Sequence, residues 1–307
     1  MPDLAVRRDV APGEVLHCDL KGPLDLAYNK AQFVLVVVDE ATRVIATQAM
    51  KTKADVPIAL EAVFADLARS PFLKKIRVGD HTTLHTDSEA VLQSARLKAM
   101  LATRGVSLRA SPPYAHEQNG IAERAIQTIF DVTRALLQQA DMSDNLWPVA
   151  LRHAVYLRNR APSAALGGRT PLQMLGAPVD SVNKLYTFGV KVFVKVDNAS
   201  RHALEPKARA GVYVGYHDIS DSHRVLVKNQ TRFDIVDSVH VQVHELGMPA
   251  VLAGERARLS PVAARAAGLA PAPVHAAPAP VPAPAEPVVA VAPAPRLAAA
   301  LESFCTD

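Results

Sequence analysis

Three acidic residues stand where their types and spacing could do chemistry together. Asp19 lies in the stretch His17-Cys18-Asp19-Leu20-Lys21-Gly22-Pro23. Asp87 lies in Thr86-Asp87-Ser88, and Glu123 in Asn119-Gly120-Ile121-Ala122-Glu123-Arg124, with 35 residues between the two acids. Singly, each is ordinary: an acid at a strand end caps a turn, and a glutamate in a helix's first turn serves the helix dipole. Together they suggest more. A carboxylate on a buried strand needs compensation, because burying a lone charge is costly. A hard divalent cation such as Mg²⁺ supplies it, taking a few carboxylate oxygens and leaving positions for water and substrate phosphate.

The surrounding elements must position these acids. Glu14–Leu20 reads as a first strand, ended by Gly22-Pro23. Gln32–Val38 is a continuous apolar run, expected of a central strand buried on both faces, and Val44–Met50 follows. Lys53–Ala68 has helical periodicity through Val56, Leu60, Val63, Phe64 and Leu67. Thr82–Thr86 is a short strand ending at Asp87, and Ala90–Thr103 a helix closed by Gly105. Val106–Ala110 is another strand, broken by Ser111-Pro112-Pro113, and Asn119–Ala140 a long helix. On that helix Glu123, Gln127, Asp131, Arg134 and Gln138 form one polar stripe. Ala122, Ile126, Ile129, Leu136 and Ala140 form the opposing apolar one, with Phe130 an inconsistency near the polar side. Cys18 alternates with Asp19 and should face the core.

Composition divides the chain into 1–13, an extension; 14–178, alternating strands and helices; 185–245, a small β domain; and 249–307, an Ala/Pro-rich tail. The β domain carries strands at Lys191–Val196, Ala210–Gly215, Ser222–Lys228 and Phe233–Val243. Repeated prolines from Pro271 to Pro295 remove backbone donors and predict a disordered tail. Hydrophobic residues make up 49% of the 307, but aromatics only 5%, so aliphatic side chains must fill the core. The net charge of +4 suits a phosphate-bearing partner without proving one. Nine Lys/Arg against seven Asp/Glu between 181 and 245 is too slight an excess to mark the β domain as a strong DNA binder. The two cysteines, Cys18 and Cys305, make neither a disulfide framework nor a zinc cluster, which fits a reducing compartment. The longest apolar run, Phe33 to Val38, is far too short to span a bilayer, so no membrane partner is expected.

At this point the residues resemble a known family, the integrases of copia-type long-terminal-repeat retrotransposons. His17-Cys18-Asp19 before Gly22-Pro23 is similar to that family's first-strand motif. Ser111-Pro112-Pro113-Tyr114 through Gln118-Asn119-Gly120-Ile121-Ala122-Glu123-Arg124 is similar to its longest and most specific one. Further likeness runs through Trp147-Pro148, Asn159-Arg160-Ala161-Pro162, Thr170-Pro171, Phe188-Gly189 and Val212-Tyr213-Val214-Gly215-Tyr216, covering about 14 to 245. Two departures stand out. Thr86-Asp87-Ser88-Glu89-Ala90 keeps the second acid but loses the family's glycine turn, and Val78-Gly79-Asp80-His81 resembles a small insertion. The family's N-terminal His/Cys zinc module has no counterpart, implying a fragment or a decayed copy.

The resemblance implies a ribonuclease-H-like mixed five-stranded sheet flanked by helices, then a small SH3-like β-barrel. It implies an integrase: phosphodiester hydrolysis and DNA strand transfer with two Mg²⁺ (or Mn²⁺) ions. Asp19 would bridge the ions, with Asp87 on one and Glu123 on the other. Lys21, His116, Gln118, Asn119, Gly120, Arg124 and Gln127 are the nucleic-acid-binding candidates. The implied partners are double-stranded DNA and further copies of the chain, and the implied location is the nucleus with a cytoplasmic phase. The competing expectation is a decayed or domesticated nucleic-acid-binding protein.

Overall fold

The computed structural model describes residues 10–87, 89–110, 120–177, 185–195, 206–217, 219–229 and 232–243. The expected disordered tail, 249–307, lies outside them.

Strands β1 (Val15–Lys21), β2 (Phe33–Asp39), β3 (Ile45–Met50), β4 (Thr83–Thr86) and β5 (Ser107–Ala110) form one sheet in the order β3-β2-β1-β4-β5. The β1–β2 and β2–β3 pairs are antiparallel; β1–β4 and β4–β5 are parallel. This is the mixed five-stranded sheet that the sequence led us to expect. Helices α1 (Val56–Arg69) and α2 (Ala95–Thr103) cover one face, α3 (Gly120–Gln139) and α4 (Trp147–Arg160) the other. The aliphatic run of β2 explains its central place. Val34, Val36 and Val38 pack toward α3 and α4, while Leu35 and Val37 pack toward α1, so both faces are dry. A short helix, α5 (Pro171–Met174), joins the α1 side through Leu172.

One expected helix is two pieces. Ala90–Gln93 is a 3₁₀ turn, and α2 starts only after Ser94, whose extended backbone and side-chain oxygen, accepting from the Leu97 amide, make a new N-cap. Gly105 then adopts φ +71 just past the helix end, as a left-handed cap requires. Phe130 is half-buried at the edge of the α3 packing, which removes the inconsistency in its stripe.

The edge strand β3 is tied to α4 by one side chain. Buried Asn159 accepts the Ile45 amide on Oδ1 and donates from Nδ2 to the Ile45 carbonyl, both at 2.8 Å. It therefore satisfies an edge backbone pair as a neighbouring strand would.

The second sheet runs β10-β6-β7-β8-β9, built from β6 (Lys191–Lys195), β7 (Ala208–His217), β8 (Ser222–Asn229), β9 (Arg232–Ser238) and β10 (Val241–Val243). The single strand expected over Phe233–Val243 is two strands. They separate at Val239-His240, where the Ser238 hydroxyl accepts the His240 amide and turns the chain. β10 then pairs with β6 instead of extending β9. This sheet shares a core with the first unit: Phe188, Val212, Val214 and Leu226 pack with Leu151, Ala154 and Val155 of α4. At the junction His153, 4% exposed, lies between the Phe188 ring and Gly215, with its Nδ1 lacking a partner among the described residues. A side chain at position 215 would stand 3.0 Å from that nitrogen, at φ +137, so glycine is required there.

Burial pulls the His153 imidazole down from 6.5 to about 4. Between those values the native state binds fewer protons than the unfolded chain, so stability should fall as pH drops from about 6.5 toward 4, by on the order of 3 kcal/mol from this group. A urea series over this range should show a shallower acid limb for His153→Phe; an unchanged limb would refute the assignment. Asn159→Ala should cost about 2–4 kcal/mol at any pH in the same assay, because it orphans two buried backbone groups. A loss below about 0.5 kcal/mol would mean the edge is held otherwise.

Candidate functional site

Strand alternation decides which side chains share the site. Leu16, Cys18 and Leu84 point to the α1 face, and Cys18 is fully buried there, as expected. His17 and Asp19 of β1 therefore point to the α3 face, as does His85 of β4. Parallel pairing sets Cys18 opposite Thr86, so continuing the register puts Asp19 beside Asp87 at the carboxyl ends of two neighbouring strands. Ligands of open α/β sheets collect at that edge. Helix α3 crosses the same face and supplies Glu123 from its first turn. Its polar stripe, Glu123, Gln127, Asp131, Arg134 and Gln138, is exposed throughout.

Each acid has its own local anchor. Asp19 is partly buried, and its Oδ1 accepts the Leu20 amide at 2.7 Å. Asp87 is exposed, and its Oδ1 accepts the amide of Glu89. Glu89 is in turn paired with Lys53. Glu123 is exposed on the flank of α3.

The electrostatics couple them. Burial raises the Asp19 carboxyl from 3.8 to about 6, against the pull of the Leu20 amide, and the charges of Asp87, Glu123 and Glu89 push it further the same way. Asp19 thus feels both of its expected partners. The three are not drawn into a closed cage: among the described residues no group of three His, Cys, Asp or Glu is near enough to hold a metal ion. Asp39, another buried strand acid, is excluded by its partners. It accepts from the Gly13 amide and from the amide and hydroxyl of Thr42, and so fastens a turn.

The remaining candidates separate. Lys21 is exposed at the end of β1, Arg124 and Gln127 are exposed on α3, and Gly120 is buried at the helix start. His116, Gln118 and Asn119 lie outside the described residues. Sequence reasoning missed a second row on the same face, one step back from the acids. His17, His85 and Arg109 stand in register across β1, β4 and β5. The two imidazoles are 5.3 Å apart, and His17 Nε2 pairs with Glu40 at 2.8 Å. Burial lowers both imidazoles despite Glu40. The two-residue step from each histidine to its aspartate was visible, but their adjacency depends on a parallel register that no local pattern announces.

Residues 190–251 match the model of the retroviral polymerase SH3-like domain. The retrovirus-related Pol polyprotein from transposon RE2 of Arabidopsis thaliana is 29% identical over 238 residues, 78% of this chain and 16% of that protein. The corresponding polyprotein from transposon TNT 1-94 of Nicotiana tabacum is 25% identical, over 69% of this chain and 16% of its own length. The chain thus spans about a sixth of the curated relatives it matches. Among solved structures, a simian T-cell lymphotropic virus intasome in complex with a PP2A regulatory subunit aligns over 79% of this chain and 82% of its own, at 15% identity and TM-score 0.46. The catalytic core domain of BIV integrase aligns over 53% and 93%, at 20% identity and TM-score 0.39. The homologues of this chain are retrovirus-related Pol polyproteins of plant transposons.

Proposed function

We propose that this chain carries an integrase-type catalytic core that hydrolyses phosphodiesters and transfers DNA strands with divalent cations. The observation that carries the reading is the parallel register that ends β1 and β4 side by side at Asp19 and Asp87, with Glu123 in the first turn of the helix on the same face. The donor set fits Mg²⁺ or Mn²⁺: all-oxygen, partly solvated and repulsive without a cation. Asp19, Asp87 and Glu123 would hold the ions between them. Bound there, two ions would supply an activated water or 3′-hydroxyl and stabilise the leaving oxygen.

The protein's own part is placement. β1 carries Asp19, Asp87 follows directly on β4, and the Asp87 side chain accepts the Glu89 amide. Helix α3 brings the third, and exposed Lys21 and Gln127 meet the DNA around it. The partners under this reading are double-stranded DNA and other copies of the chain, met in the nucleus after a cytoplasmic phase. No described helix is long and apolar enough to cross a membrane.

A second reading, a decayed or domesticated nucleic-acid-binding protein, has one observation in its favour. The acids are not gathered into a ready metal cage. A strand-transfer assay with labelled DNA ends and Mg²⁺ separates the two. Joined products that fall ~100-fold or more in Asp87→Asn support the proposal. Full activity in that variant would remove Asp87 from the site. DNA binding without any cutting or joining in the parent would favour the second reading, and cutting without joining would leave a nuclease.

The crowded charge makes a separate prediction. In EDTA, Asp19 destabilises the native state once ionised, because its folded value of about 6 exceeds 3.8 in the unfolded chain. Stability should therefore fall as pH rises from about 4 to 6. Asp19→Asn should gain about 1–3 kcal/mol at pH 8 and nothing below about pH 4. Thermal melts at the two pH values check this, and a destabilised variant at pH 8 would contradict the crowding.

A further inference from the structure

Helix α3 has two flanks beside its apolar face, and Glu123 occupies only one. On the other, Ile121, Arg124, Ala125 and Thr128 form a wall of a groove of about 290 Å³. The opposite wall comes from Arg158 in the last turn of α4 and from Ser163 beyond it; Arg43, in the β2–β3 turn, closes one end. Val38 and Ile45 contribute the apolar floor. Three arginines and two hydroxyl-bearing residues thus line one space, and among the described residues no carboxylate side chain lines it.

The arginines are held in place. Arg43 sits at φ +60, its amide donating to the Asp39 carbonyl in the turn that the Asp39 side chain fastens. Arg158 reaches Ser163 Oγ at 3.4 Å. Neither Arg124 nor Arg158 makes an ion pair among the described residues, although carboxylates are plentiful one helix flank away. Such a set of planar forks with hydroxyls suits phosphate oxygens, which accept paired N–H donors. The apolar floor suits the sugars between phosphates.

The geometry points to a second DNA contact: this groove holds the phosphodiester backbone of a strand that is not being cut. The inference rests on the integrase-type reading above and adds a surface to it. The groove lies on a different flank of α3 from Glu123, so it meets a part of the duplex other than the reacting phosphate. It orients the duplex instead.

The test is binding without chemistry. Fluorescence anisotropy of a labelled 30-base-pair duplex is titrated with the whole chain in EDTA, at several salt concentrations. The parent should bind with a salt-dependent affinity. The double variant Arg124→Ala/Arg158→Ala should bind at least 10-fold more weakly, and its slope of log affinity against log salt should be shallower by about two, one for each lost phosphate contact. Arg124→Lys/Arg158→Lys should keep the slope and lose only part of the affinity, which guards against a folding defect as the cause. An alanine variant with unchanged affinity and slope, beside a parent that binds, overturns the groove and leaves the catalytic reading standing. A parent that binds no duplex at any salt overturns the DNA reading itself.

Discussion

Parallel pairing between β1 and β4 is the constraint on which the site depends. It sets Cys18 opposite Thr86 and so carries the next residues, Asp19 and Asp87, to adjacent strand ends. No turn joins these strands. The pairing needs the connection through β2, β3 and α1, and that connection is stable only because β2 is dry on both faces. The aliphatic run of β2 and the acids of the site are therefore one design: the first holds the register, and the register collects the charge.

That charge is a liability for the empty protein and the basis of its use. Burial, and after it three neighbouring carboxylates, lift the Asp19 carboxyl to about 6, so its ionisation costs the folded chain stability. The acids are near enough to repel yet not closed into a cage. On the proposed reading, such an arrangement would leave part of a cation's coordination to the substrate phosphate. The neighbouring row of His17, His85 and Arg109 adds fixed dipoles and one cation behind the acids.

Much of this was legible in the residues. The double-faced burial of β2, the polar and apolar stripes of α3 and the inward Cys18 all followed from periodicity, because each depends on local geometry. The helix over 90–103 was misjudged because Ser94 prefers to cap a new helix to continuing an old one, a choice that periodicity does not see. The strand over 233–243 was misjudged because β10 finds a partner in β6, far away in sequence. The joint core between α4 and the second sheet was also invisible, since Phe188, Val212 and Leu226 look like the interior of a separate domain until their neighbours are known. Asp87 illustrates both sides: its place after a strand was readable, but the bond it accepts from the Glu89 amide was not.

The central claim is that Asp19, Asp87 and Glu123 form one divalent-cation site, and paramagnetic Mn²⁺ tests it most directly. Added in small amounts to isotope-labelled protein, it broadens the amide resonances of residues near the bound ion. The account predicts selective broadening at the end of β1, at the end of β4 and in the first turn of α3, reversed by Mg²⁺ in excess and lost in Asp19→Asn. Broadening confined to other surface acids, or none at millimolar Mn²⁺, would contradict it.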